Sequence, residues 1–372
     1  MHILFVWSYW EYPRVAIEFL EKVRDRGHKV SVLLGESRGR FDVRCFDDGI
    51  DFYFVPRRDF LSWVVGTPYP VFKNVSNLIR MVNPDVVHVN SHLFFGNYQA
   101  VKASCLLGFP CVVTVHGFRV KRGFVWDAVQ EVYLRTVAKS LFEKVVAVIC
   151  LTEHDAVNVG GIIGGYEKIY TIPNGVDSEF FRPSPLKDPN LITWVGRLVP
   201  EKGLVYLLRA MRDIVKEFPD VKLVVIGGGP LENKLINLMD KLDLGGNVRF
   251  VGSVGRAEVA EFLSRSSVFV FPSLREGLPL SVLEAMACGV PVVGSDIPGV
   301  NSLVKHGYNG LLVPPKDSRL LAKAVLTLLR DDELRWVMGI NARRIIVDEY
   351  SWDKVIQKLE GVYRDAAADF GK

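Results

Sequence analysis

The sequence predicts an α/β chain of two doubly wound domains facing each other across a cleft. Three observations carry this. The chain has 372 residues, more than one hydrophobic core usually holds. Short β-rich runs that are apolar throughout alternate with helical patterns, as expected of parallel strands covered on both faces. The alternation pauses once, at residues 168–189, and then starts again.

In the first half the strand candidates are residues 3–8, 29–35, 51–56, 85–91, 111–116 and 145–152. Helical patterns fill most of the intervals, at 15–26, 71–82, 97–107 and 126–142, several ending at Gly or just before Pro. The segment KIYTIPNGVDSEFFRPSPLKDP (168–189) is rich in Pro, Asn, Gly and Asp and reads as a hinge. The second series has strands at 191–195, 222–227, 248–252, 268–271, 291–295 and 310–313. Its helices fall at 204–218, 231–242, 256–265, 280–288 and 318–329. An amphipathic helix closes the chain from residue 350. The expected domains are 1–170 and 171–350.

Composition narrows the class. With 49% hydrophobic and 24% charged residues the chain is globular, and a net charge of +4 is too mild to predict a nucleic-acid partner. The charge is uneven: residues 57–144 hold eleven Lys/Arg against five Asp/Glu, a local excess of +6. The five cysteines (Cys45, Cys105, Cys111, Cys150, Cys288) form no CxxC and lie mostly in apolar runs, which fits buried, reduced thiols in a cytoplasmic protein. The opening MHILFVWSYWEY lacks a basic n-region and reads as a first strand rather than a signal peptide. No apolar run is long enough to span a bilayer.

Ligands of open α/β sheets bind beyond the carboxyl ends of strands, so the residues after each strand matter most. After 191–195 comes GRLVPEKG (196–203). Arg197 and Lys202 lie five apart in a loop leading into a helix, where free N–H groups already favour an anion. The bland alternative is a solvated loop with a Lys202–Glu201 pair. After 222–227 comes GGGP (227–230), where glycines would let backbone approach a ligand, or simply make a tight turn. The spacing is not that of a dinucleotide fingerprint, which argues against an NAD oxidoreductase.

After 268–271 comes PSLREGLPLSVLEAMACG (272–289). Pro279 falls near the first helical position, so the N–H groups of Leu280 and Ser281 are free to hold a phosphate. Glu276 sits in the loop and Glu284 on the helix. Taken singly, each glutamate reads equally as a cap or an ion-pair partner. In the first half, His116 ends a strand, and His88, Asn90 and His92 alternate along DVVHVNSH (85–92) and so share one face. Two His with no third strong ligand make a poor metal site. Asn90 and His92 are better read as lining the acceptor side.

Together, EGLPLSVLEAMACGVPVV (276–293) with its Glu-x7-Glu spacing, GRLVPEKG, VFVFPS (268–273), IPNGVD (172–177) and HGYNGLLVPPKD (306–317) resemble the retaining glycosyltransferases of family 4. In the first half the resemblance rests on strand order and VTVHG (113–117). It implies the GT-B fold: two Rossmann-like domains, with the C-terminal helix crossing back so that 351–372 completes the first. It also implies transfer of a sugar from a nucleoside-diphosphate sugar to an acceptor hydroxyl with retention, without a metal or other cofactor.

By position in that pattern, Arg197 and Lys202 neutralise the departing diphosphate, Glu284 holds the ribose, and Glu276 and His116 contact the sugar. Gly228, Gly229, Gly252, Leu278, Leu280 and Ser281 complete the nucleotide-sugar side. Many members carry a glycine-rich loop after the first strand. Here SYWEYPRVAIEF (8–19) has no glycine, and Arg14 is its candidate acceptor-side contact.

The aromatic stretch FLSWVVGTPYP (60–70) and the cluster Lys121, Arg122, Phe124 and Trp126 suit an anionic membrane surface at the cytoplasmic face, and read equally as core residues with solvated charges. The expected acceptor is therefore lipid-linked or a glycan precursor, with a small molecule as the remaining option. The competing classes are a sugar-nucleotide epimerase, which acts without an acceptor, and a non-catalytic nucleotide-sugar-binding protein.

Overall fold

The computed structural model describes residues 1–7, 14–36, 42–46, 49–60, 69–118 and 124–369. The chain divides into two compact units. Unit 1 comprises Met1–Pro173 and Val355–Lys372, and unit 2 comprises Asn174–Lys354.

Unit 1 is built on a nine-stranded sheet. In chain order its strands are β1 (His2–Trp7), β2 (Lys29–Glu36), β3 (Asp42–Phe46), β4 (Ile50–Phe60), β5 (Tyr69–Phe72), β6 (Val86–Asn90), β7 (Cys111–Val115), β8 (Ala147–Cys150) and β9 (Ile169–Thr171). Their spatial order is β3-β4-β2-β1-β6-β7-β8-β9, with β5 paired to β4. β3 and β5 run antiparallel to β4; every other pairing is parallel. Central strands β1, β6 and β7 have essentially no exposed apolar side chain, which is why they read as unbroken hydrophobic runs.

Unit 2 carries six parallel strands: β10 (Leu191–Val195), β11 (Lys222–Ile226), β12 (Val248–Gly252), β13 (Val268–Phe271), β14 (Val292–Ser295) and β15 (Gly310–Val313). Their order is β12-β11-β10-β13-β14-β15. Its core packs Trp194, Leu207, Leu208 and Met211 with Val268, Val270 and Val325 between the sheet and the helices Leu204–Glu217 and Ser318–Arg330.

The last helix, Trp352–Asp369, leaves unit 2 after its first residues and belongs to unit 1 from Val355. Within unit 2 the two passages of chain lie side by side: Val176 pairs with Ser351, and a Cβ on Gly175 would sit 2.2 Å from the Trp352 ring. In unit 1 the helix is anchored by Tyr363, whose hydroxyl is 2.5 Å from Nδ1 of buried His88. Arg26 grips Glu360 with two hydrogen bonds of 2.9 and 2.8 Å. That guanidinium holds the Glu360 carboxyl down at about 2.

Several expectations need correction. Residues 71 and 72 are not helical; they end β5, paired with Arg57 and Arg58, and the helix Val75–Val82 starts only after Asn74 turns at φ 58°. The stretch that reads as a hinge does hold the boundary between the units, after Pro173, but it opens with an unpredicted strand, β9. The helix Glu153–Ile163 is hidden in the sequence because Gly160 and Gly161 interrupt its pattern; Gly160 lets the Tyr166 ring lie directly on the helix, where a Cβ would meet it at 2.3 Å. The helix Asp332–Ile345 is likewise unpredicted, and its Gly339 lies against the Gly289 carbonyl, 2.5 Å from where a Cβ would stand.

Cys105, Cys111, Cys150 and Cys288 are free thiols, and Cys105 is only half-buried. Burial pushes Cys150 and Cys288 up to about 12. Among the described residues, no helix is long and apolar enough to cross a membrane.

Candidate active site

In unit 2 the chain winds outward from β10 in one direction and from β13 in the other. The carboxyl ends of β10 and β13 therefore form the topological switch point, where the loops diverge and leave a crevice. The loop after β10 holds the one-turn 3-10 helix Pro200–Lys202, and the loop after β13 holds Glu276. Two hydrogen bonds staple these loops: Leu274 N–H donates to the Glu201 carbonyl at 2.7 Å, and the Ser273 hydroxyl lies 2.8 Å from the same oxygen.

The staple brings Lys202 Nζ to 2.7 Å from Glu276 Oε1, with side chains 22% and 9% exposed. Ser273 Oγ is 2.6 Å from that oxygen, and the ammonium lies 5.2 Å from the centre of the Phe271 ring. The alternative Lys202–Glu201 pair does not form; Glu201 faces Arg275 at 3.9 Å instead. Arg197 is exposed and has no ion-pair partner among the described residues. One committed cation and one open cation thus stand in the same loop.

Gly227 and Gly229 make room for a neighbouring loop. A Cβ on Gly227 would lie 2.0 Å from the Gly196 carbonyl, and one on Gly229 would lie 2.7 Å from the Leu198 carbonyl. These glycines let the loop after β11 lie directly on the loop after β10. Leu198 N–H donates to the Gly228 carbonyl at 2.9 Å, and Gly227 N–H donates to the Gly252 carbonyl at 2.8 Å. The three loops therefore form one hydrogen-bonded platform, with Gly228 and Gly252 on it. Gly203, at φ 66°, closes it on the other side: a Cβ there would be 2.0 Å from the Pro272 carbonyl.

The helix Leu280–Ala287 begins beside Glu276. Pro279 is its capping residue, not its first helical one, and supplies no side chain to the opening turn. Among the described residues, the N–H groups of Leu280 and Ser281 have no backbone acceptor. They remain available to an anion, favoured further by the helix dipole. Glu284 lies one turn further along, half-buried. Leu278 is buried, so only its backbone is presented.

In unit 1, His116 is exposed just past β7, and its Nε2 lies 3.3 Å from Asn90 Oδ1. His88 and Asn90 share a face of β6 as alternation predicted, but His92 does not. β6 ends at Asn90, and Ser91 adopts φ 85°, which rotates the chain before His92. His88 bonds to Tyr363 and to Thr114 Oγ1 at 2.6 Å, whereas His92 Nε2 faces the Phe118 carbonyl at 3.3 Å. Burial holds His88 near 3 and His92 near 4, so both are neutral. Asn90 Nδ2 and His92 Nδ1 are buried without partners among the described residues. The loop 8–13 lies outside the described residues, as do residues 61–68 and 119–123, including Lys121 and Arg122. The side chains of Arg14 and Phe124 are likewise outside.

Sequence reasoning missed Ser273 and Gly299. A Cβ on Gly299 would lie 2.4 Å from the Gly277 carbonyl and 2.7 Å from that of Glu276. The PS pair after β13 was the available signal for Ser273; nothing local marked Gly299.

Comparison with known proteins agrees with this geometry. Residues 176–345 match the model of the glycosyl transferases group 1, and residues 13–180 match that of Glycosyltransferase Family 4. The chain is 31% identical over 376 residues to the Escherichia coli UDP-Gal:alpha-D-GlcNAc-diphosphoundecaprenol alpha-1,3-galactosyltransferase, covering 95% of this chain and 93% of that protein. It is 26% identical to the gpi3 subunit of phosphatidylinositol N-acetylglucosaminyltransferase from Schizosaccharomyces pombe, over 92% of this chain and 75% of that one.

Among solved structures, sucrose-phosphate synthase from Thermosynechococcus elongatus superposes with a TM-score of 0.79 at 21% identity, covering 99% of each chain. Anabaena HepE in complex with UDP gives 0.79 at 20% identity, over 98% of this chain and all of that one. These two likenesses carry the fold, which is GT-B. Taken with the near full-length identity to the E. coli enzyme, the two family matches mean that the chain belongs to the family 4 (group 1) glycosyltransferases, which transfer sugar from a nucleotide sugar.

Proposed function

We propose that this glycosyltransferase is a retaining hexosyltransferase that takes its sugar from a UDP-sugar and passes it to a lipid-linked acceptor hydroxyl. The observation that carries the reading is the Lys202–Glu276 pair at the β10/β13 switch point, beside the uncapped start of the helix Leu280–Ala287. As the bond from the anomeric carbon to phosphate breaks, negative charge builds on the diphosphate. Lys202, Arg197 and the N–H groups of Leu280 and Ser281 are assigned to that charge, which fixed dipoles and cations stabilise without reorganisation. Glu276 is assigned to the sugar hydroxyls and Glu284 to the ribose. His116 is assigned a part in the transfer step. Retention follows the family resemblance: the acceptor bonds on the face that the diphosphate leaves.

UDP is chosen because it is named for the E. coli relative and for the HepE complex. A lipid-linked acceptor is chosen because the E. coli and S. pombe relatives are both named for one. Contact with an anionic membrane is part of the proposal, supported by Trp126, Val129 and Val132, exposed along one helix at 37%, 54% and 64%.

A thermal-shift panel of UDP-, GDP- and ADP-sugars tests the donor. A ligand at a hundred times its Kd adds about 2.7 kcal/mol, enough to raise the melting point by roughly 5–10 °C. Only UDP-sugars are expected to do so, and a GDP- or ADP-sugar shift would refute the choice. NMR of the product's anomeric proton then tests retention. Interconversion of a UDP-sugar with no acceptor present would point to the epimerase instead.

A further inference from the structure

Ser273 is fully buried, and its hydroxyl touches three oxygens: Glu201 O at 2.8 Å, Arg275 O at 3.3 Å and Glu276 Oε1 at 2.6 Å. It has one proton to give. The Glu201 carbonyl already accepts from Leu274 N–H at 2.7 Å. The contact to Glu276 is the shortest and falls in the range of charge-assisted O–H···O⁻ bonds. The proton therefore goes to the carboxylate. Oε1 of Glu276 then has two donors, Ser273 and Lys202, while Oε2 has no partner among the described residues. A carboxylate clamped through one oxygen presents the other in a fixed direction.

We propose that Ser273 is a positioning residue for sugar transfer, clamping Oε1 of Glu276 so that Oε2 is held to receive a hydroxyl of the donor sugar. The proposal rests on the reading of Glu276 as the sugar-facing carboxylate. Ser273 does not touch substrate; it acts through Glu276. Its loss is felt where the sugar must be oriented and not where the nucleotide is held, since Lys202 and the helix start remain.

The test is a double-mutant cycle on Ser273→Ala and Glu276→Ala, followed by UDP release from UDP-galactose and UDP-N-acetylglucosamine and by calorimetric titration with UDP. A hydrogen bond to a charged group is worth about 1.5–3 kcal/mol, so kcat of Ser273→Ala should fall roughly 10- to 100-fold. Its Kd for UDP should stay within about twofold of wild type. On the Glu276→Ala background, adding Ser273→Ala should change kcat by less than about twofold, because the clamp has nothing left to hold. If the two losses multiply, or if Ser273→Ala loses UDP affinity in step with kcat, Ser273 is structural and the proposal is wrong. If Glu276→Ala alone leaves turnover intact, the reading of Glu276 itself fails. Should Ser273→Ala melt below the assay temperature, Ser273→Cys, which leaves no cavity and weakens the donor, carries the same test.

Discussion

Lys202 and Glu276 stand 2.7 Å apart although 74 residues separate them in the chain. One follows β10 and the other follows β13, and the sheet order makes those two strands neighbours. On the proposed reading the pair brings a cation for phosphate and a carboxylate for sugar to one point, and it adds a buried side-chain tie to two loops already joined through Glu201 by Leu274 N–H and the Ser273 hydroxyl.

Separating the two charges should separate two functions. If Lys202 holds the diphosphate as proposed, Lys202→Met removes that contact and leaves a nearly buried carboxylate without its counter-ion, so it should weaken UDP binding roughly 10- to 100-fold and lower the melting point. Glu276→Gln keeps the volume and still accepts a hydrogen bond. It should leave the Kd for UDP within about twofold while reducing transfer by about 100-fold or more. Calorimetry with UDP alongside a turnover assay resolves the two. Equal losses in both variants would mean that the pair acts only as a structural staple.

The glycines offer a graded test of the loop platform. Gly203→Ala would press a Cβ to 2.0 Å from the Pro272 carbonyl, and Gly227→Ala would do the same against the Gly196 carbonyl. Both also sit at positive φ, 66° and 124°. Each should cost several kcal/mol and abolish measurable UDP affinity, because backbone cannot give way as a flexible side chain does. Gly252 also has positive φ, 72°, but nothing lies within 4 Å of its added Cβ. Gly252→Ala should cost only about 1–2 kcal/mol, the left-handed penalty alone. Chemical denaturation of the three variants checks the ranking.

Gly299 extends the argument to a residue outside every recognised motif. An alanine there would push on the carbonyls of Gly277 and Glu276 from behind. The expected outcome is loss of kcat with a smaller change in UDP affinity, since Lys202 and Arg197 lie in a different loop. A variant with wild-type kcat would show that the Glu276 loop tolerates displacement.

The parallel core was the legible part of this fold. β1, β6, β7, β10, β11, β13 and β14 are buried runs of Val, Ile, Leu and Phe, and period and punctuation sufficed to find them. Arg197, Lys202 and Glu276 lie where the sequence put them, in the loops after β10 and β13, and Glu284 lies on the helix that follows. What the sequence did not disclose was pairing across it. That Lys202 would face Glu276 rather than Glu201, that Gly227 and Gly229 would receive a neighbouring loop, and that His88 would face Tyr363 all depend on strand order and on which backbone approaches which. The helix Val75–Val82 was overextended for the same reason. Val71 and Phe72 fit either period, and only the pairing with β4 decides for strand.

That last histidine carries a pH prediction for unit 1. His88 is packed between β6, β7 and the C-terminal helix, facing Thr114 and Tyr363, and burial with nearby His116 lowers it from 6.5 to about 3. His92, equally buried, lies near 4. Both take up a proton more readily unfolded than folded. They contribute no pH dependence above about 6.5, and stability falls as pH drops from there toward 3–4.

Glu360 acts lower down. Its folded value near 2 lies below its ordinary 4.5, so its stabilising pair with Arg26 is present above about 4.5 and lost as pH falls toward 2. Hydrogen exchange on the helix Trp352–Asp369 should therefore accelerate in two steps on acidification. His88→Gln, which can still bond Tyr363 and Thr114 but does not titrate, should flatten the upper step. Glu360→Gln should remove the lower one and leave the upper in place. A single step unaffected by His88→Gln would mean that His88 does not govern the acid response of unit 1.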